Sequence, residues 1–296
     1  MSTTTATTTA NPAQVHVVPN DDDEASFQQL SRGDRAGRIR MQGIPTFSDP
    51  QKKREWMKQH MAAAFRFFGK RGYGEGVSGH ISMRDPILAD HFWMNPFAKH
   101  FSTINASDLV LIDHEGYVVE GGAQLPINEA GFWIHSEIHR ARPDAVAAAH
   151  AHSVHGKTWS SFAKPIEMIT QDACNFYGKL GVYKSFGGIV LAKEEGQNIA
   201  ASLGKDNMAV ILQNHGLLTL GRTVDEAAFL YSSLDKACES QLLAEAAAAN
   251  GVQKNIISNE EAKFTADAMQ SANNFYTEFQ PEFDLLVKET NGEFLN

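Results

Sequence analysis

The chain has 296 residues, 43% of them apolar, and a formal net charge of -9. That acidity excludes non-specific binding to DNA or to anionic membranes, because phosphate groups would be repelled. The apolar share suits a sizeable core, in one large domain or two small ones. No apolar run reaches the roughly 18 residues a membrane span needs.

Cys174 and Cys238 belong to no C-x-x-C pair, which argues against a disulfide framework or a thiolate zinc site. The N-terminus has neither the apolar stretch of a signal peptide nor the arginines of a mitochondrial presequence, so the cytoplasm is the expected compartment. Residues 1–45 open with a Thr-rich run and continue into Asp21, Asp22, Asp23 and Glu24. Such a stretch buries too little apolar surface to offset its ordering entropy and reads as a disordered tail. The folded domain is expected over residues 46–255, and residues 256–296 read as a C-terminal helical extension packing on it or on a neighbouring subunit.

Asp49 followed by Pro50 predicts a capped helix start. Trp56, Met57, His60, Met61, Ala64, Phe67 and Phe68 then recur near helical period until Gly69. Residues 79–84 alternate as a strand, and residues 109–112 and 117–119 read as two more around a turn. Asn128 caps a helix that Pro143 stops by about Ala141. Residues 145–152 read as a buried strand, 194–203 as a helix and 208–213 as an apolar strand. Thr223 or Asp225 starts a long helix reaching about Asn250, and a last helix covers about 259–275. Interleaved strands and helices predict an α/β layered domain.

His150 and His152 are two apart, so on a strand their rings share a face. Two such imidazoles either bond to backbone in the core or converge on one ion, at about 2.0–2.1 Å for zinc. His215 follows an apolar strand and precedes Gly216, where a ring can enter a pocket at the sheet rim. Three nitrogen ligands leave a position open for water or substrate. His135, Glu137 and His139 imitate the H-E-x-x-H zinc helix, but the glutamate comes one residue late, about 100° around the helix. His135 therefore reads as a packing residue or a support to the site, and His139 as exposed or interfacial.

These segments together resemble the class II aldolase/adducin family. The likeness runs from about Trp56 to Asn250 through Gly79-His80-Ile81-Ser82, Ala141-Arg142-Pro143-Asp144, His150-Ala151-His152 and Asn214-His215-Gly216. Asn95-Pro96-Phe97 and the segment from Asn128 to Phe132 resemble the adducin-like branch. The resemblance implies a three-layer α/β/α domain with a central, mainly antiparallel sheet, and a homo-oligomer, usually a tetramer, with sites between subunits. It implies a divalent metal, commonly zinc, on His150, His152 and His215; three histidines with open positions also suit iron. It offers Glu129 as the proton-moving carboxylate and Asp172 as a donor contributed by a neighbouring subunit.

The sequence departs from the sugar-phosphate aldolases where they bind phosphate. Gly79-His80, Asn95-Pro96-Phe97 and Ile127-Asn128-Glu129 put bulk in place of hydroxyls and backbone donors. A small carbonyl compound other than a simple sugar phosphate is the expected substrate. Phe92, Trp93, Phe97, Phe101, Phe132 and Trp133 either shape an apolar pocket or pack in the core. Three functions follow: a metal-dependent lyase for aldol-type cleavage or decarboxylation, a non-catalytic interaction protein like the adducin head, and an Fe(II)-dependent oxygenase.

Overall fold

The computed structural model describes residues 27–189 and 193–296. Residues 1–26, most of the assigned tail, lie outside the described residues. In the remainder of that stretch Phe27 is fully buried, and the Ile44 N–H donates to Asn273 Oδ1 at 2.9 Å.

Helix α1 (Pro50–Lys70) starts as its sequence dictates: Asp49 Oδ1 accepts from the Gln51 N–H at 2.8 Å, and Pro50 needs no partner for a missing N–H. Seven strands follow: β1 (His80–Arg84), β2 (Phe92–Met94), β3 (Val110–Ile112), β4 (Ala147–Ala151), β5 (Leu180–Tyr183), β6 (Ala209–Leu212) and β7 (Gly216–Gly221). They form one sheet in the order β3-β2-β1-β4-β7-β6-β5. All pairs are antiparallel except β5 with β6.

Period-two alternation divides β4 between two layers. Ala147, Ala149 and Ala151 join a cluster with Met61, Phe65 and Phe68 of α1 and Leu230 and Leu234 of α5 (Val224–Ala248). Ala148 joins the opposite cluster, with Ile134 and Ile138 of α2 (Glu129–Ala141) and Ile199 and Leu203 of α4 (Lys193–Leu203). Helices thus cover both faces of a mainly antiparallel sheet, the expected three layers. Asn128 caps α2 by accepting from the Gly131 N–H, and Thr223 caps α5 by accepting from the Glu226 N–H.

Several elements differ from the expectation. Residues 117–119 form only a bridge, Val118 to Ile112, because the chain turns away after one pairing. Strands β2, β5 and β7 and the short helix α3 (Val154–Ser160) carry too few residues, or too many glycines, to display a period. The last helix is two, α6 (Asn259–Met269) and α7 (Ala272–Thr290), because Ser271 caps a new start by accepting from the Asn274 N–H. Phe275, Tyr276 and Phe279 of α7 are buried against their own chain. Among the described residues no helix is long and apolar enough to cross a membrane.

Asp85, at the end of β1, ties α1 to the sheet. Its buried carboxylate accepts from Arg54 Nε at 2.7 Å and Nη2 at 2.6 Å, from Trp93 Nε1 at 2.7 Å, and from the Ile87 and Leu88 N–H groups. Burial pushes its pKa up, but these donors outweigh burial and hold it below the ordinary carboxylate value. Its stabilisation is therefore full above the unfolded value of about 3.9 and lost as pH falls through the lower folded one. Asp85→Asn should cost about 2–4 kcal/mol at neutral pH and give a shallower acid limb, read by urea unfolding across the acid range.

Candidate metal centre

Register places the first histidine. His150 lies between His80 of β1 and Leu218 of β7 on neighbouring strands. Facing away from the α1 and α5 layer, its ring is fully enclosed. His150 Nδ1 lies 2.8 Å from the Leu217 carbonyl oxygen. A carbonyl only accepts, so Nδ1 carries the proton and Nε2 a lone pair. Nε2 is buried and has no hydrogen-bond partner. His152, just beyond β4 on the same side, places its ring 5.1 Å from that of His150.

The β6–β7 turn delivers the third histidine. Residues 213–215 link paired Leu212 and Gly216, with Asn214 left-handed at φ 56°. Asparagine tolerates that conformation better than most residues. A Cβ on Gly216 would sit 2.9 Å from the Ala151 carbonyl oxygen, so only glycine lets the turn close on the end of β4. The His215 ring centroid then lies 4.7 Å from that of His150 and 4.9 Å from that of His152. One ligand atom from each of the three lies within 4.8 Å of the others.

The donor set fits a divalent cation. Burial, then the neighbouring histidines, hold His150 far below the ordinary imidazole pKa and His215 at about 4; burial also lowers His152, with Lys157 adding and Glu75 opposing. All three are thus neutral near pH 7, the form that ligates a metal. A buried Nε2 lone pair with no donor to accept from is costly unless something fills the position.

The other nominated residues line surface cavities. Glu129 is the exposed first residue of α2 and lines a surface cavity of about 730 Å³ with Trp133, Glu137, Arg140 and Lys193. Asp172 lines another, of about 340 Å³, with Thr170, Asn175 and Glu278. Neither cavity is lined by a triad histidine, and neither carboxylate perturbs the three rings. The carboxylate that His152 feels is Glu75, ion-paired with Lys157 at 2.6 Å. Glu137 bonds Arg140 at 2.5 Å and stays apart from the histidines of its own helix.

His139 is a correction to the exposed or interfacial position expected of it. It is buried, stacks on Phe92 at 4.8 Å, and bonds Ser82 and the Ala145 carbonyl. The α2 face that carries it lies on the sheet, where β1 supplies a hydroxyl. His135, on the same face, bonds His80 and Ser82. Phe92, Trp93, Phe101 and Phe132 are core residues, while Phe97 is exposed.

Tyr231 of α5 was not singled out by sequence. Its buried hydroxyl donates to the Ala151 carbonyl at 2.7 Å, accepts from the Ser153 N–H at 3.3 Å and contacts Ser153 Oγ at 3.1 Å. These bonds fix the chain on either side of His152. Only the fold could bring residues this far apart in sequence together.

An α/β/α layered domain with three imidazoles gathered at the rim of its sheet has the architecture of the class II aldolases. Residues 59–242 match the family model for the class II aldolase and adducin N-terminal domain, and the chain belongs to that family. It is 44% identical over 205 residues to the decarboxylase NovR of Streptomyces niveus, spanning 69% of this chain and 75% of that protein. It is 43% identical over 204 residues to a 4-hydroxy-3-prenylphenylpyruvate oxygenase/4-hydroxy-3-prenylbenzoate synthase of Streptomyces roseochromogenus, spanning 69% and 73%. The solved L-fuculose 1-phosphate aldolase of Glaciozyma antarctica superposes with a TM-score of 0.77 at 39% identity, over 85% of this chain and 96% of that one.

Tyr231→Phe should lower stability by about 1–3 kcal/mol, because the Ala151 carbonyl loses a buried donor. It should also weaken zinc affinity about tenfold, the lower end for residues that orient metal ligands. Thermal unfolding with and without zinc measures both.

Proposed function

We propose that this protein is a divalent-metal-dependent lyase that makes or breaks a C–C bond beside the carbonyl of a small substrate, by aldol-type chemistry or decarboxylation. The observation that carries this reading is the buried, unpartnered Nε2 of His150 within reach of His152 and His215. These three imidazoles would hold the ion, zinc foremost. A bound divalent cation polarises a carbonyl and stabilises negative charge developing on its oxygen.

The chain supplies the rest. His150 Nδ1–H is fixed by Leu217, so its ligating nitrogen is preorganised. Buried His80 stands where a sugar-phosphate aldolase offers a phosphate-binding turn, which supports a substrate other than a simple sugar phosphate. Assembly into a homo-oligomer, a tetramer by family resemblance, belongs to the same proposal. Glu129 or Asp172 would then act at a site completed by a neighbouring copy.

A second reading is an Fe(II)-dependent oxygenase on the same three nitrogens, supported by the name of the Streptomyces roseochromogenus relative and by the open positions such a ligand set leaves. Metal analysis of chelator-free protein, followed by a screen of phosphorylated, non-phosphorylated and aromatic carbonyl compounds, separates the readings. The lyase predicts about one ion per chain, turnover with zinc, and loss of ion and turnover together in His150→Ala. Oxygen uptake confined to iron-loaded protein would favour the oxygenase. Failure to take up either metal would favour an interaction protein like the adducin head.

A further inference from the structure

Helices α6 and α7 follow the residues that match the family model, and they enclose polar groups that the metal centre does not use. Asn175, in the short turn Asp172–Phe176, is 2% exposed, and Asn274, in the first turn of α7, is 3% exposed. The Oδ1 of each is buried and has no hydrogen-bond partner. The orientation of Asn274 is fixed. Its Nδ2 donates to the Ala268 and Met269 carbonyls, both at 3.2 Å, and a carbonyl only accepts. Asn175 Nδ2 donates to the Ser233 hydroxyl at 3.4 Å. Buried side-chain oxygens in this state are costly unless a donor reaches them.

Both asparagines line a pocket of about 10 Å³, room for one water-sized group. Phe229, Met269 and Phe275 are its apolar walls, with the Phe229 and Phe275 rings stacked at 5.8 Å. Asn175, Phe229, Met269 and Glu278 also line the cavity of about 340 Å³ that holds Asp172, so the small pocket adjoins the larger one. No triad histidine lines either.

The charges facing this pair of cavities favour a cation. Glu278 lies where they meet. Partial burial, then the charge of Asp172, raises its pKa, and a positive charge beside it relieves both effects. Among the described residues neither carboxylate pairs with a cation. Of the cations lining the larger cavity, Arg71 is paired with Glu282 at 2.6 Å, and Lys236 is exposed. The small pocket thus offers acceptors and aromatic faces and lacks donors. A primary ammonium brings three N–H donors on one compact head, and aromatic faces attract it. A calcium or magnesium ion fits worse, because it asks for about six oxygens and these walls are largely apolar.

We propose that this pocket is a second ligand site, one that takes the head of a primary alkylammonium compound and leaves its carbon chain in the larger cavity. Asn175 and Asn274 accept its hydrogen bonds, Glu278 supplies the opposite charge, and Phe229 and Phe275 supply the aromatic faces. The site stands apart from the lyase reading. It gives the two C-terminal helices a binding function besides packing.

Titration of zinc-free protein with n-butylammonium chloride tests the site, because no metal is present to hold the amine. The 1H–15N signals of the Asn175 and Asn274 side-chain amides report binding. Both should shift and saturate. n-Butanol should bind at least tenfold more weakly, since it brings one donor and no charge. Tetramethylammonium, equal in charge but bulky and without donors, should give no saturable shift. Asn274→Leu should weaken binding at least tenfold, read through Asn175. Glu278→Gln should weaken it about fivefold, and this solvent-facing change keeps the test open should Asn274→Leu fail to fold. His150→Ala should bind the amine as the wild type does. No saturable shift with n-butylammonium means the pocket holds only water, and overturns the proposal. So does equal binding of n-butanol, or undiminished affinity in Glu278→Gln. Binding lost in His150→Ala would place the amine at the triad and overturn the second site, leaving the lyase reading untouched.

Discussion

The hydrogen bond from His150 Nδ1 to the Leu217 carbonyl is the constraint on which the site depends. It fixes one imidazole to the neighbouring strand and commits the other nitrogen to a lone pair with nothing to accept from. A lone buried acceptor in a domain core is a cost. Beside two further imidazoles it becomes one corner of a cation site. The bond in turn depends on the antiparallel register of β4 and β7, which puts His150 opposite Leu218. A one-residue slip would turn His150 into the α1 and α5 layer.

The rest of the local sequence accommodates that register. Alanines on β4 leave space for helices on both faces. Gly216 lets the β6–β7 turn meet the end of β4, and Gly131 lets α2 lie against His80. Tyr231 holds the chain around His152 from the opposite layer. Small residues occur where backbone or a ring must approach closely, and the Ser82 hydroxyl meets the His135 and His139 rings.

Much of this could be read from the sequence, for identifiable reasons. Helices α1 and α2 carry cap residues followed by helical periodicity, and both start where their caps indicate. His150 and His152 share a face because strands have period two, and a turn between two apolar strands could bring only its own histidine to them. The position of His80 beside His150 was not legible. Its proximity to His150 comes from pairing between β1 and β4, far apart in sequence, and single-sequence periodicity does not specify partners. The burial of His139 was hidden for the same reason, since the α2 face on which it lies is defined by the sheet beneath. Glu129 drew attention as a carboxylate on the first turn of a helix; its own side chain is exposed and lines a surface cavity, while Gly131 of the same turn packs against His80.

X-ray absorption at the zinc edge of the metal-loaded protein tests the central claim most directly. The account predicts three imidazole nitrogens at about 2.0–2.1 Å, with remaining positions held by light atoms from solvent. It also predicts that the imidazole scattering shrinks by one ring in His215→Ala. A shell of oxygen atoms alone, or a spectrum unchanged in that variant, would contradict it.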